Sequence, residues 1–343
     1  MALKRVTIQQ IANACGLSRN TVSKVFNNRG AVPEATKKAV IQKAQEMGYY
    51  QLPEESYVTP AADQGRNIAL LTQSKPLNHN FGSFFVTGFT DQICRAGYTL
   101  KMYEISPEEL ANRVLPPHLL LKDTAGLLGI ELFDKGYLDM LCSVGLPTIF
   151  MDFFADAGRS LIGGDLVCME NYSSSIALTK RLIEAGARKI GFVGDITHCM
   201  SFEERWMGYR TALTEAGLSP DEACSILAKD SDDYGDADWL LSKLNAMSHM
   251  PDAFVCANDY LAIHLMTALK RKGLSIPADV MITGFDGSPE SAIVEPALTT
   301  ASIPSADIGR VTADILLNRI QNPERPFLRT YVKTVPIFRA STR

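Results

Sequence analysis

Asp152 in IFMD, Asn258 and Asp259 in FVCAND, and Asp286 in MITGFDG each follow a short apolar run, and Arg205 stands at the head of ERWMGYRTAL. Any one of them is explained by a helix N-cap or a surface charge. As a set they carry the chemistry of a polyhydroxylated ligand: carboxylates and Asn accept from and donate to vicinal hydroxyls, and Arg presents a rigid fork of donors. Phe81, Phe84, Phe85 and Trp206 are candidates for an apolar or stacking wall, although aromatics at such spacing also serve as core. A second set lies in Thr7–Asn27, TIQQIANACGLSRNTVSKVFN. Arg19, Asn20, Ser23 and Lys24 fall on one side of a helix. Arg or Lys there suits guanine and Asn suits adenine in a DNA major groove. Asn20 and Lys24 are expected to read bases, Arg19 bases or phosphate, and Thr7, Thr21, Asn27 and Arg5 to hold the backbone.

The elements that position this second set are two short helices and a turn. Ile8, Ile11 and Ala12 recur at helical spacing, Gly16 supplies the turn, and Ser18 stands where an N-cap belongs. Val22, Val25 and Phe26 face back onto the first helix. Pro33 opens a third helix with Thr36, Val40, Ala44 and Met47 on one face, and Gly48 ends it. Residues 1–50 are therefore expected to form a compact all-α helix-turn-helix headpiece. The stretch 51–66, QLPEESYVTPAADQGR, has two prolines and no helical period and reads as a linker.

From 67 to 343, short apolar runs alternate with helical segments. The strands expected are Ile68–Thr72, Thr99–Tyr103, Gly126–Ile130, Thr148–Met151, Ile190–Val193, Phe254–Ala257 and Met281–Thr283. The helices expected include Phe84–Ala96, Tyr172–Ala185, Trp206–Ala216, Trp239–Met247 and Tyr260–Lys272. Alternation of this kind means parallel sheets with helices on both faces. The segment is long for one doubly wound sheet, so two lobes are expected. Ligands in such folds bind outside the carboxyl ends of strands, where the first set of polar residues lies.

Residues 1–50 carry eight Lys or Arg against two Glu, net +6, so the rest of a chain of net charge −4 carries −10. A basic cap on an acidic body suits a phosphate-binding headpiece. Seven cysteines without a C-x-x-C argue against a disulfide framework or a zinc site and for core thiols in a reducing cytosol. The N-terminus lacks a signal peptide's apolar stretch and no run is long enough for a membrane span, so a cytoplasmic chain with no membrane partner is expected. Asp230–Gly235 is not a calcium loop, because Tyr234 fills a ligand position and Leu241 stands where the bidentate Glu is needed. His198-Cys199 lacks ligand partners at metal spacing and is expected at most to line the cleft. No phosphate loop, no nucleophile elbow and no dinucleotide fingerprint is present. No metal, no cofactor and no catalytic residue is expected, and the chain is not expected to be an enzyme. A ligand-binding protein without specific DNA regulation is the alternative, one that has no need of the headpiece.

The run Ile11-Ala12, Gly16-Leu17-Ser18, Thr21-Val22-Ser23 and Val25-Phe26-Asn27 resembles the headpiece of the LacI–GalR family of bacterial transcription regulators. Further landmarks stand in order: Gly88 with Gly97-Tyr98, LIEAGARKIGFVG, ERWMGYRTAL, ANDYLAI, ITGFDG, PALTT and a terminal RAST. The resemblance implies an α/β two-lobed, periplasmic-binding-protein-like (type I) body and effector contacts from Asp152, Arg205, Asn258 and Asp286. It implies a ligand-responsive repressor acting on double-stranded operator DNA as a homodimer, with a sugar or sugar derivative as effector. The absence of a heptad repeat after the RAST strand favours the dimer. The chain departs from the family at Glu170-Asn171, at Ile303, and at Ser23-Lys24, where Ser-Arg is usual. It departs most in Leu52–Tyr57, which lacks the usual hinge-helix pattern. A weak hinge, with reduced bending of the operator, is the expectation there.

Overall fold

In a computed structural model the described residues are 7–26, 32–33, 36–37, 39–40, 43–44, 47, 65–73, 80–156 and 163–343. They fall in two compact units, Met1–Gln64 and Gly65–Arg343. Arg5, Asn27, Gly48, the Leu52–Tyr57 segment and nearly all of the expected linker lie outside the described residues.

In the first unit, helix α1 (Ile8–Cys15) starts with a capping box. The Thr7 hydroxyl accepts from the Gln10 backbone N–H while the Gln10 side chain accepts from the Thr7 N–H. It ends on Gly16 at φ +65°, a left-handed conformation that favours glycine. Ser18 then caps helix α2 (Arg19–Phe26), its Oγ accepting from Thr21 N–H at 3.1 Å. Ile11, Ala12, Val22, Val25 and Phe26 are buried together with Val40 and Ala44. Residues 36–37, 39–40 and 43–44 are helical, and the Pro33 carbonyl accepts from Thr36 and Lys37 at the start of that stretch.

The second unit holds a six-stranded parallel sheet in the order β10-β5-β4-β3-β1-β2 and a three-stranded parallel sheet β6-β7-β8. The strands of the first sheet are β1 (Asn67–Thr72), β2 (Thr99–Glu104), β3 (Thr124–Ile130), β4 (Thr148–Met151), β5 (Asp165–Met169) and β10 (Arg329–Val332). Those of the second are β6 (Ile190–Val193), β7 (Ala253–Cys256) and β8 (Met281–Thr283). Side chains alternate across the first sheet: Ile68, Leu70, Leu128, Ile149 and Val167 face one core, and Ala69, Leu71, Leu127, Phe150 and Leu166 the other. The first core is closed by helices α3 (Asn80–Arg95) and α11 (Ser305–Gln321). A Cβ at Gly88 would stand 2.0 Å from the Ala306 carbonyl oxygen and one at Gly309 2.2 Å from that of Phe85, so glycine at both positions lets the helices approach this closely. The second core is closed by α5 (Lys135–Ser143). The second sheet is packed by α6 (Tyr172–Glu184), α7 (Met200–Glu215), α8 (Ala237–Ala246) and α9 (Asp259–Arg271). Two short helices, α4 (Pro107–Asn112) and α10 (Pro289–Ile293), and an antiparallel pair, β9 (Thr300–Ser302) with β11 (Val335–Ile337), complete the unit.

The chain passes between the two lobes at Glu170-Asn171, at Ile303-Pro304 and at Lys333-Thr334. Every expected strand is present, with Phe254–Ala257 shifted by one residue to Ala253–Cys256. Three expectations need correction. Arg205 does not open its helix: α7 starts at Met200, so Arg205 sits in its second turn. The terminal RAST is a turn rather than a strand, its Ser341 Oγ donating to the Ile282 carbonyl and accepting from Thr299 N–H. The strands β5, β9, β10 and β11 were not anticipated. Of these, β5 and β10 are pinned by a buried ion pair, Asp165 with Arg319, whose two bonds measure 2.9 and 3.0 Å.

Candidate functional site

On α2, Arg19, Asn20 and Lys24 are exposed, and Thr21 and Ser23 are half-buried beside them. Val22, Val25 and Phe26 on the opposite side are buried, so core packing aims the polar face outward. The Thr21 hydroxyl stands 2.8 Å from that of Ser18, within the cap, and Thr7 is exposed at the start of α1.

In the second unit, a cleft of about 1280 Å³ lies at the carboxyl ends of both sheets. Asp152, Arg205, Asn258, Asp286 and Phe81 all line it. Trp206 does not: it is buried in the second lobe, 5.2 Å from the Phe192 ring. Its place on α7 is one residue beyond Arg205, which turns it about 100° away from the cleft. Phe85 is likewise fully buried, under α11, whereas Phe84 is exposed and lines the cleft. His198 lines it too, edge-on to Phe133 of the first lobe at 4.8 Å.

Each polar side chain is built into the frame. Arg205 is nearly solvent-free, and its guanidinium carbon lies over the Phe285 ring, 3.8 Å from its centre. Its Nε donates to Asn171 Oδ1 at 2.9 Å and its Nη1 to the Ala257 carbonyl at 2.6 Å, with Asp286 Oδ1 3.5 Å away. Its Nη2 reaches the Met169 sulfur at the end of β5. Asn258 caps α9, Oδ1 accepting from Leu261 N–H at 2.9 Å, which leaves Nδ2 as the atom for a ligand. Asp152, at φ +59°, accepts through Oδ1 from Phe153 N–H and, across to α7, from Ser201 N–H. Asp286 is at φ +126°. Two carboxylates of the four are thus held in a left-handed conformation that L side chains resist, as happens at binding sites.

Further groups stand behind this set and hold it. Asp259, fully buried, accepts from the Thr300 hydroxyl at 2.6 Å and from Ser288 N–H at 2.8 Å. Asn171, at the first crossing, donates to Glu204 Oε2 at 2.9 Å, and Glu204 Oε1 accepts from the Tyr331 hydroxyl at 2.7 Å. The cleft is therefore wired to two of the crossings. Sequence reading did not join Asn171, Glu204 and Tyr331 to one another, because they come from three distant segments. Burial pushes the carboxyls of Asp152, Asp259 and Asp286 above the ordinary carboxylate value, against the pull of Arg205, and Asp259 adds to the rise at Asp286. Burial also raises Glu204, against its bonds from Asn171 and Tyr331.

Residues 7–51 match the family described as bacterial regulatory proteins, lacI family, and residues 179–342 match the periplasmic binding protein-like domain. The chain is 28% identical over 321 residues to the HTH-type transcriptional repressor PurR of Aliivibrio salmonicida, covering 92% of each chain. It is 29% identical over 323 residues to that of Vibrio parahaemolyticus, covering 93% of each. Among solved structures it resembles a complex of the transcriptional regulator CelR with cellobiose, at TM-score 0.70 and 25% identity, over 98% of this chain and all (100%) of that one. It shares its fold with the lac repressor dimer bound to operator and the anti-inducer ONPF, at TM-score 0.71 and 22% identity, over 99% of each chain. The PurR relatives and the lac repressor are repressors of transcription, CelR is a transcriptional regulator, and none is an enzyme. Among the described residues no helix is long and apolar enough to cross a membrane. With a helix-turn-helix unit, a two-lobed α/β unit and these matches along both, the chain belongs to the LacI–GalR family of bacterial transcription regulators.

Proposed function

We propose that this chain is a cytoplasmic repressor that binds a pseudo-palindromic operator as a homodimer and is controlled by an uncharged, polyhydroxylated effector of the sugar class. Residues 1–50 act as the headpiece, 51–66 as the connector and 67–343 as the effector-binding and dimerisation unit. One headpiece spans too few base pairs for specificity, and two-fold symmetry doubles the site. In this reading Asn20 and Lys24 read bases, Arg19 reads bases or phosphate, and Thr7, Thr21, Ser23, Asn27 and Arg5 hold the backbone. Lys24 presents a point charge rather than a guanidinium fork, which weakens discrimination at one base by about 1–3 kcal/mol relative to a bidentate reader.

The observation that carries the effector class is the charge of the cleft. Asp152, Asp230, Asp232, Asp259, Asp286 and Asp307 line it, among other acids, against Arg205 and Arg339. Such a lining repels sugar phosphates and carboxylates and accepts hydroxyl donors. Asp152, Arg205, Asn258 and Asp286 are the contacts, with Phe81 and Phe84 as an apolar rim. The cellobiose complex of CelR, a neutral disaccharide in a chain of this fold, supports the same class. The link from Arg205 through Asn171 and Glu204 to the lobe crossings supplies a route by which an occupied cleft changes the lobes' relative setting.

The experiment is calorimetric titration of the full chain with neutral mono- and disaccharides, sugar phosphates and nucleobases, alongside gel shifts on the gene's own upstream region. The reading requires binding by at least one neutral saccharide and a change in operator affinity of about 1–3 kcal/mol when it is added. Tight binding of a sugar phosphate but of no neutral sugar would overturn the effector class, and loss of all sequence preference on DNA would overturn the repressor reading.

A further inference from the structure

At the end of the second lobe away from the cleft, three ligand-type side chains converge. Asp221 caps and Cys224 ends the short 3-10 turn Glu222–Cys224, ahead of Ile226, which pairs with Val193 at the end of β6. His249 stands in the loop before β7. Their spacing, Asp-x-x-Cys and then His twenty-five positions later, is no recognised metal signature, and nothing local joins them. The fold does. His249 Nε2 lies 2.9 Å from Cys224 Sγ and 3.3 Å from Asp221 Oδ2, and Sγ to Oδ2 is 3.5 Å.

Two functions compete for such a trio. In a nucleophilic relay the carboxylate binds one imidazole nitrogen and the thiol the other. Here both approach the same nitrogen, Nε2, and Nδ1 is 3.1 Å from the Ser248 hydroxyl. Convergence on one point is the arrangement of a ligand set. With zinc bonds of about 2.3 Å to sulfur and 2.0 Å to nitrogen and oxygen, tetrahedral ligand atoms stand about 3.3–3.6 Å apart. The Nε2–Oδ2 and Sγ–Oδ2 separations already have those values. Only the Sγ–Nε2 distance must widen, by about 0.6 Å, as the thiol-to-imidazole hydrogen bond gives way to the ion.

The surrounding groups hold the ligands in place. Asp221 Oδ1 accepts from Ala223 N–H at 3.0 Å, which keeps Oδ2 turned toward the cluster. Ser225 Oγ donates to the Asp221 carbonyl and accepts from Phe192 N–H, keying the loop to β6. The Ser248 hydroxyl, 3.1 Å from Nδ1, holds the ring with Nε2 toward the cluster. Cys224 is fully buried, while the His249 and Asp221 side chains are 35% and 40% exposed, which gives an ion a way in and a fourth position for water. Thiolate, imidazole and carboxylate together are the donor set of zinc rather than of calcium or magnesium.

We propose that Asp221, Cys224 and His249 form a zinc site, remote from the effector cleft, with water as fourth ligand. Binding replaces the thiol proton by the ion: the S–H bond breaks, a sulfur–zinc bond forms, and the proton passes to solvent. The neutral His and the two anionic ligands then balance the dication. Because burial and the neighbouring Asp221 raise the Cys224 thiol to about 11, uptake competes with protons and strengthens as the pH rises.

The test is metal uptake by the chelator-stripped full chain, measured by equilibrium dialysis against zinc and by the visible and near-ultraviolet spectrum with cobalt. One zinc per chain is expected, with a thiolate-to-cobalt charge-transfer band. Cys224→Ser removes the band, and His249→Ala weakens zinc uptake by about tenfold or more. Cys94→Ser, at an exposed thiol on α3, changes neither. His249→Gln, on a separate loop, serves where Cys224→Ser does not fold. Failure of the wild type to hold zinc at micromolar free metal, or equal uptake by the His249 variants, overturns the proposal.

Discussion

The headpiece and the cleft place their functional side chains by opposite means. On α2 the residues that face outward, Arg19, Asn20 and Lys24, are exposed, and the structure of the unit rests on Val22, Val25 and Phe26 behind them. In the cleft the lining side chains are themselves part of the frame: Asn258 caps α9, and Arg205 binds the Ala257 carbonyl and Asn171. Substitutions on α2 should therefore separate recognition from stability, and substitutions in the cleft should not.

The largest expected effect is at Arg205. Truncation to Ala leaves Asn171 Oδ1 and the Ala257 carbonyl without this donor in the interior and Asp286 without its cation. Removing one partner of a buried charged network costs about 3–5 kcal/mol. Arg205→Ala should lower the unfolding free energy of the body by that order in urea titration and abolish effector binding as well. An unchanged urea midpoint would show that the network is not structural and would break the contrast.

Lys24→Ala is the counterpart on α2. It should reduce discrimination between operator variants by about 1–3 kcal/mol and leave the melting temperature where it was, since surface substitutions shift stability by only about ±0.5 kcal/mol. A quantitative gel-shift series on single-base operator variants, read beside a melting curve, checks both halves. A loss of stability matching the loss of specificity would mean that α2 is wired like the cleft.

The same division explains what could be read from the sequence. Ile11, Gly16, Ser18 and Val25 lie within one short segment, so their caps, turn and apolar spacing are local and visible. The strands β1, β3, β4 and β6 are short, nearly continuous buried apolar runs and are equally visible. The strands β9 to β11 are short and largely polar or exposed, held by partners far along the chain, and carry no such mark. In the cleft, Asp152, Asn258 and Asp286 were legible because strand ends bear ligands in α/β folds. The links through Asn171, Glu204 and Tyr331 were not, because only the tertiary fold brings Asn171 to Arg205 and brings Asn171 and Tyr331 to Glu204. Trp206 misled because an aromatic beside a candidate ligand residue does not reveal which way its helix turns.

Asn258 allows the two roles of a cleft residue to be separated at one position. Asn258→Ala removes the cap of α9 and should cost about 1 kcal/mol of stability in addition to effector affinity. Asn258→Asp keeps an oxygen for Leu261 N–H but no donor for the ligand, so it should retain the stability and lose affinity. Thermal melting and calorimetry on both variants give the answer. Equal melting temperatures for Ala and Asp would show that the cap contributes nothing.

The smallest effect expected is a dependence on pH that runs in opposite senses for stability and binding. The carboxyls of Asp286, Asp259 and Asp152 lie above their ordinary value in the folded chain, chiefly through burial. Between the unfolded value near 3.8 and the raised folded values, the folded state holds more protons than the unfolded one. Its stability is then greatest on the acid side of this window and falls as the pH rises through the raised values. Ionised carboxylates are the better acceptors for sugar hydroxyls, so effector affinity should rise over the same interval. Asp286→Asn removes one titrating group and should flatten both trends. Melting of the ligand-free chain at pH 5 and pH 8, with calorimetry at the same two values, measures them. If the wild type and Asp286→Asn showed the same slope, burial of that carboxyl would not be a cost that the cleft carries in order to bind its ligand.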